Sequence, residues 1–216
     1  MSRIAIIGGH GNVARILVTG LSSDGHTVTA LFRNPAHADA VAATGAVPAV
    51  LDLERADTGD IASQLAGHDA VVWSAGAGGG DPARTAAVDR DAAIRSMEAA
   101  RQAGVARYVM VSYLGAGPDH GIAPDDPFFA YAEAKAAADA HLRGSGLDWT
   151  IVAPGRLTDD APTGDIRLDP PAGEHRTSRG NVAAVIAAVL ARPQTTGRTL
   201  GFEDGHVPIA DALGLP

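Results

Sequence analysis

Apolar positions along the chain follow two alternating rhythms. Short, nearly continuous apolar runs read as buried strands at about Arg3–Ile7, His26–Phe32, Pro48–Asp52, Ala70–Ala75, Ala106–Val111 and Asp148–Val152. Between them, apolar residues recur at three- and four-residue spacing. These stretches read as helices at about Asn12–Ser23, Pro35–Thr44, Ile61–Ala66, Pro82–Ala103, Pro127–Arg143 and Arg179–Ala191. Asp81-Pro82 and Asp126-Pro127 look like an N-cap followed by a first-turn proline, and Gly104 and Gly144 like the glycines that close helices. Strict alternation predicts an α/β fold: a doubly wound parallel sheet between two helical layers. The expected strand order is 3-2-1-4-5-6, open to extension by a strand near Arg198–Phe202. Residues 1–216 read as one domain.

Two stretches break the rhythm. Gly115–Asp126 and Pro154–Arg176 are rich in Gly, Pro and Asp and read as irregular loops. Both follow strands, which puts them at the carboxyl edge of the sheet, where open α/β sheets bind ligands. They are candidate lids over a substrate.

The first apolar run ends in Gly8-Gly9-His10-Gly11-Asn12-Val13-Ala14, and the first helix begins at once. Strand, glycine turn and helix are together the context of a dinucleotide-binding turn. Gly8 permits the tight turn, Gly11 lets backbone approach a pyrophosphate, and Ala14 is small enough for the helix to pack close to the strand. The helix N-terminus offers free N–H groups to phosphate. Gly8, His10, Gly11, Asn12 and Val13 are therefore candidate cofactor contacts.

The end of the second strand bears on the cofactor. An NAD-binding protein usually carries an acid there for the ribose 2′-hydroxyl. Here Arg33-Asn34 occupies the place, about 20 residues beyond Gly11. An arginine can grip a 2′-phosphate with a planar fork, which favours NADP over NAD; the alternative is a solvated loop arginine. Asp52-Leu53 is placed to flank the adenine. Ser74, Ala75 and Gly76 are small enough for backbone to approach the cofactor. Pro154, Gly155 and Arg156 are expected to pass the nicotinamide end.

Tyr131 and Lys135 lie four apart on a predicted helix and share one face. A lysine ammonium beside a phenol lowers the phenol pKa, and such a tyrosine exchanges a proton with a carbonyl or alcohol as hydride moves. Ser112 and Tyr113 end the fifth strand, where a hydroxyl would meet a substrate carbonyl. Adjacent strand residues face opposite ways, so at most one of the two faces the site squarely. His120, in the first loop, is a further substrate-contact candidate, and His141 reads as a surface residue. The eight histidines show no metal-ligand spacing, and no G-x-S-x-G elbow occurs.

Composition narrows the classes. Net charge is −8, so nonspecific nucleic-acid binding is not expected. Cysteine is absent, which excludes disulfides, thiol catalysis and Cys-ligated metals. No apolar run is long enough to span a bilayer, and the start of the chain has no signal-peptide pattern. A cytoplasmic protein with a small-molecule substrate is the expectation; the oligomeric state stays open.

Taken together, these residues resemble the atypical short-chain dehydrogenase/reductases, NAD(P)H-binding proteins related to flavin/biliverdin reductases and NmrA-like regulators. The resemblance is carried by the Gly8–Ala14 turn, Arg33-Asn34-Pro35, Val88-Asp89-Arg90-Asp91-Ala92-Ala93-Ile94, Gly104–Ser112, Tyr131-Ala132-Glu133-Ala134-Lys135 and Leu147–Gly155. It implies a Rossmann fold and a Ser-Tyr-Lys site of Ser112, Tyr131 and Lys135. Relatives usually carry Val-Ser-Ser where this chain has Val111-Ser112-Tyr113, which puts Tyr113 at the position of the catalytic serine. The implied activity is NADPH-dependent reduction or dehydrogenation of a small carbonyl, alcohol or flavin-type compound. The alternative is an NADP(H)-sensing binding protein without turnover.

Overall fold

The apolar run at the chain start becomes the middle of a sheet. In a computed structural model, which describes residues 1–78 and 81–214, strand β1 (Arg3–Ile7) pairs in parallel with β2 (Thr27–Phe32) and β4 (Ala70–Trp73). Strands β3 (Val47–Val50), β5 (Arg107–Val111) and β6 (Asp148–Pro154) complete the expected order 3-2-1-4-5-6. The extension beyond β6 is larger than the sequence indicates. Strand β10 (Arg198–Asp204) joins β6 in parallel, and β8 (Asp165–Leu168) and β11 (Val207–Pro208) add antiparallel edges, giving nine strands.

Why the β1 run is apolar throughout follows from its two faces. Ile4 and Ile6 enter a core with helix α1 (Asn12–Ser23), α7 (Arg179–Leu190) and Val41 of α2 (Ala38–Ala42). Ala5 and Ile7 enter a second core with α3 (Thr58–Leu65), α5 (Ala93–Gln102) and α6 (Phe129–Gly144). A strand covered on both faces has no polar positions to spare. The structure is a Rossmann-like, doubly wound fold with a mostly parallel central sheet between two helical layers.

Four details differ from the sequence reading. The stretch 154–176 is not irregular: it contains β7 (Arg156–Thr158) and β8, and β7 pairs with β9 (Arg176–Ser178) as a small separate sheet. Strands this short leave too few positions for alternation to show among the Gly and Pro. The helix expected over 82–103 is α4 (Pro82–Thr85), a π-helical segment at Ala86–Ala92 and then α5. Gly144 lies inside α6, and Gly146, with φ of +76°, adopts the left-handed conformation after it. Asp126 does not cap α6; its carboxylate accepts the Phe128 amide at 2.7 Å in a turn ahead of the helix. By contrast Asp81 caps α4 as expected, accepting the Ala83 and Arg84 amides. Gly115–Asp126 contains neither helix nor strand. Among the described residues no helix is long and apolar enough to cross a membrane.

Candidate functional site

The turn after β1 is built by contacts that exclude side chains. Gly8 has φ of +90°, and a Cβ there would sit 2.5 Å from the Ala75 backbone nitrogen. A Cβ on Gly9 would sit 2.5 Å from the Ala30 side chain. The Gly8 and Gly9 amides both donate to the Leu31 carbonyl, and the Gly11 amide donates to Gly8 at 2.9 Å. Gly11 is the N-cap of α1, and no side chain caps the helix. The first amides of α1 are therefore free to meet an anion. Ala14 is fully buried, as close helix–strand packing requires. Uncapped amides above a glycine floor fit a pyrophosphate.

Two cavities open from this turn. One, of about 250 Å³, is lined by Gly8, His10, Gly11, Arg33, Asn34, Asp52, Leu53, Ser74, Ala75 and Gly76, together with Phe32, His37, Glu54 and Arg84. The other, of about 630 Å³, is lined by Gly11, Asn12, Val13, Ser112 and Tyr131, together with Asp81, Asp89, Phe128, Leu157 and Arg179. Gly11, Ser74, Ala75 and Gly76 border both, so the two form one groove along the carboxyl edge of β1, β2 and β4.

At the smaller end, the carboxylate missing from the end of β2 arrives from beyond β3. Glu54 Oε1 accepts Arg33 Nη1 at 2.8 Å and Arg84 Nε at 2.9 Å. Arg84 also donates to the Ala77 carbonyl at 2.7 Å. His10 stacks on His37 with centroids 3.7 Å apart. Burial pulls the His10 pKa down, and His37 and Arg15 add to it. Asn34 accepts the Ala36 amide at 3.1 Å and so caps the turn that follows.

At the larger end, α6 carries Tyr131, Lys135 and Asp139 at successive four-residue steps on one face. Tyr131 lines the cavity, against Phe128 (5.1 Å) and Tyr113 (5.7 Å). Lys135 does not line it. It is buried, and its ammonium donates to the Val111 carbonyl at 2.8 Å. The expected depression of the Tyr131 pKa is therefore not found. Burial raises it well above an ordinary phenol, and Asp89, Asp139 and Tyr113 add to the rise. Lys135 is itself pushed down by burial, against Asp139 and Asp89. Asp89 sits on the π-helical segment, its carboxylate accepting the Ala77 amide at 3.0 Å, and burial raises its pKa.

Of the two residues that follow β5, Ser112 faces the cavity. Its hydroxyl donates to Asp139 Oδ2 at 2.6 Å. Tyr113 turns into the aromatic cluster, where its hydroxyl is buried without a partner. Pro154, Gly155 and Arg156 line neither cavity. They stitch strands instead: Gly155 donates to Phe202 and Thr177, and Arg156 to the His175 carbonyl. His120 also lines neither cavity; it bonds Glu133 at 2.8 Å and packs on Phe129. His141, half-buried, bonds Glu98 at 2.9 Å.

Sequence reasoning missed Glu54, Arg84, Asp89, Phe128 and Arg179 as groove residues. For Asp89 a signal existed: an acid on the helical face that also carries Ala92 and Ala93. Phe128 lies three residues before Tyr131, whereas Glu54, Arg84 and Arg179 come from separate segments that only the fold brings together.

A family of proteins described as NAD(P)H-binding matches residues 8–193. The uncharacterized sugar epimerase YhfK of Bacillus subtilis is 32% identical over 213 residues, covering 98% of both chains. A Bacillus halodurans structure, provisionally named an NAD-dependent epimerase/dehydratase, superposes with a TM-score of 0.90 at 32% identity over the whole of both chains. The anaerobilin reductase ChuY of Escherichia coli O157:H7 shares the fold, with a TM-score of 0.78 at 21% identity, covering 95% of this chain and 98% of ChuY.

Proposed function

Because this chain belongs to the NAD(P)H-binding family, we propose that it binds NADP(H) along the groove and reduces a small carbonyl or flavin-type compound. The uncapped α1 terminus and the Gly8–Gly11 floor hold the pyrophosphate in this reading. Arg33 takes the 2′-phosphate, with Asp52 and Leu53 beside the adenine. The cofactor, when bound, supplies hydride.

One observation carries the choice of reduction. Tyr131 reaches the larger cavity as a phenol that holds its proton more tightly than usual. Such a group is protonated at neutral pH and can pass its proton to a developing alkoxide, which is more basic than a phenolate. Ser112 has spent its proton on Asp139 and presents oxygen lone pairs, so the donor role falls to Tyr131 alone. Lys135 braces β5 from behind rather than tuning the phenol. A flavin-type acceptor, needing little acid–base help, fits the same groove.

NADPH consumption against a panel of small aldehydes, ketones and free flavins tests this. Consumption with at least one class is expected. Tight NADP(H) binding with no turnover would instead support the sensor reading, which the engaged Ser112 hydroxyl favours.

A further inference from the structure

We infer that Glu54 sets how the chain divides its affinity between NADPH and NADH. The inference rests on reading the groove as a dinucleotide site. In such sites an acid at the end of the second strand accepts a hydrogen bond from the ribose 2′-hydroxyl. This chain has Arg33 and Asn34 there. Glu54, from the loop after β3, lines the same cavity and spends one oxygen, Oε1, on both Arg33 and Arg84.

The two cofactors ask opposite things of this carboxylate. A 2′-hydroxyl is a donor, and Glu54 can accept from it. A 2′-phosphate is an anion, which Glu54 repels while it holds the guanidinium that would grip the phosphate. Glu54 thus favours NADH and restrains Arg33 from NADPH. Arg84 offsets part of the Glu54 charge, and its own tie to the Ala77 carbonyl fixes it in that place. The three side chains are only partly buried, with side-chain exposures of 53%, 30% and 35% for Arg33, Glu54 and Arg84. Pairs this open add little to folding stability, so their main effect falls on what binds.

The test is a pair of dissociation constants, for NADPH and for NADH, measured by fluorescence titration on wild type, Glu54→Gln and Arg84→Gln. In Glu54→Gln the preference ratio should move toward NADPH by about tenfold, the worth of one charge-assisted contact. In Arg84→Gln it should move toward NADH, because Glu54 is then opposed by Arg33 alone. A general loss of structure weakens both cofactors together and leaves the ratio in place. A ratio unchanged in Glu54→Gln, or moved toward NADH, overturns the inference. The wild-type titration separately tests the function: a wild type that prefers NADH sinks the choice of NADP, and the shift in Glu54→Gln still decides the role of Glu54. Failure of wild type to bind either cofactor overturns both.

Discussion

Ser112 donates its hydroxyl proton to Asp139 across 2.6 Å, and Asp139 has no exposure to solvent. The other carboxylate oxygen of Asp139 is buried without a partner. The pair is therefore a polar element enclosed behind the groove, and its protonation decides which way Ser112 points its hydrogen bond.

Burial raises the Asp139 pKa, against the opposing pull of Lys135 and the Ser112 hydrogen bond. A carboxyl whose native pKa is raised binds its proton more tightly folded than unfolded. Its contribution to stability is greatest in acid and is lost as pH rises from about 4, the unfolded value, through the native one. Asp139→Asn removes that loss. The melting temperature of the variant relative to wild type should shift in its favour between about pH 4 and about pH 7. A difference that stays constant across that range would show that Asp139 titrates as an ordinary carboxylate.

Tyr131→Phe should lower carbonyl reduction by about 10²–10⁴-fold and leave the NADPH dissociation constant unchanged. Because burial holds the Tyr131 proton, the wild-type rate should stay level through about pH 10, where an ordinary phenol ionises. Full activity in the variant removes Tyr131 from the mechanism.

Two glycines of one turn should fail in different ways. Gly8→Ala forces a Cβ into the Ala75 backbone at positive φ, and should cost about 2–4 kcal/mol of stability in denaturant melts. Gly11→Ala meets the Gly8 carbonyl oxygen at 3.2 Å and the Ser74 carbonyl oxygen at 3.8 Å, and faces the groove. It should fold nearly as wild type and lose cofactor affinity. Equal stability losses in the two would contradict this division.

Arg33→Ala should weaken NADPH by about 1–3 kcal/mol and NADH far less, as read from the two dissociation constants. Equal weakening of both cofactors would place Arg33 outside the 2′-phosphate contact.

The β1 strand, its turn and the strand order were legible because each has a local signature: two-sided apolar runs, glycines at a bend, and short alternating segments. The smaller end of the groove was legible only in half. Arg33 stands at a known offset from the turn, whereas Glu54 and Arg84 meet it from other segments that carry no shared pattern. Tyr131 and Lys135 do share a helix face as their spacing requires, but spacing does not fix depth. The Lys135 side chain is buried and carries its ammonium to the Val111 carbonyl. Gly155 misled for a different reason. Its missing side chain makes room for the His175 backbone, which a Cβ would approach to 2.8 Å, and a glycine that admits protein looks the same in sequence as one that admits a ligand.

The strand order also dictates how the sheet can grow during synthesis. After β1 is made, β2 and β3 add outward on one side, and β4, β5 and β6 add outward on the other. Each newcomer meets an edge already in place, and no existing pair has to part. The exception is β8, whose neighbours in the sheet, β10 and β11, both lie later in the chain. A nascent chain emerging N-terminus first must carry β8 unpaired while the whole of α7 is added, until β10 docks on β6 and supplies its seat.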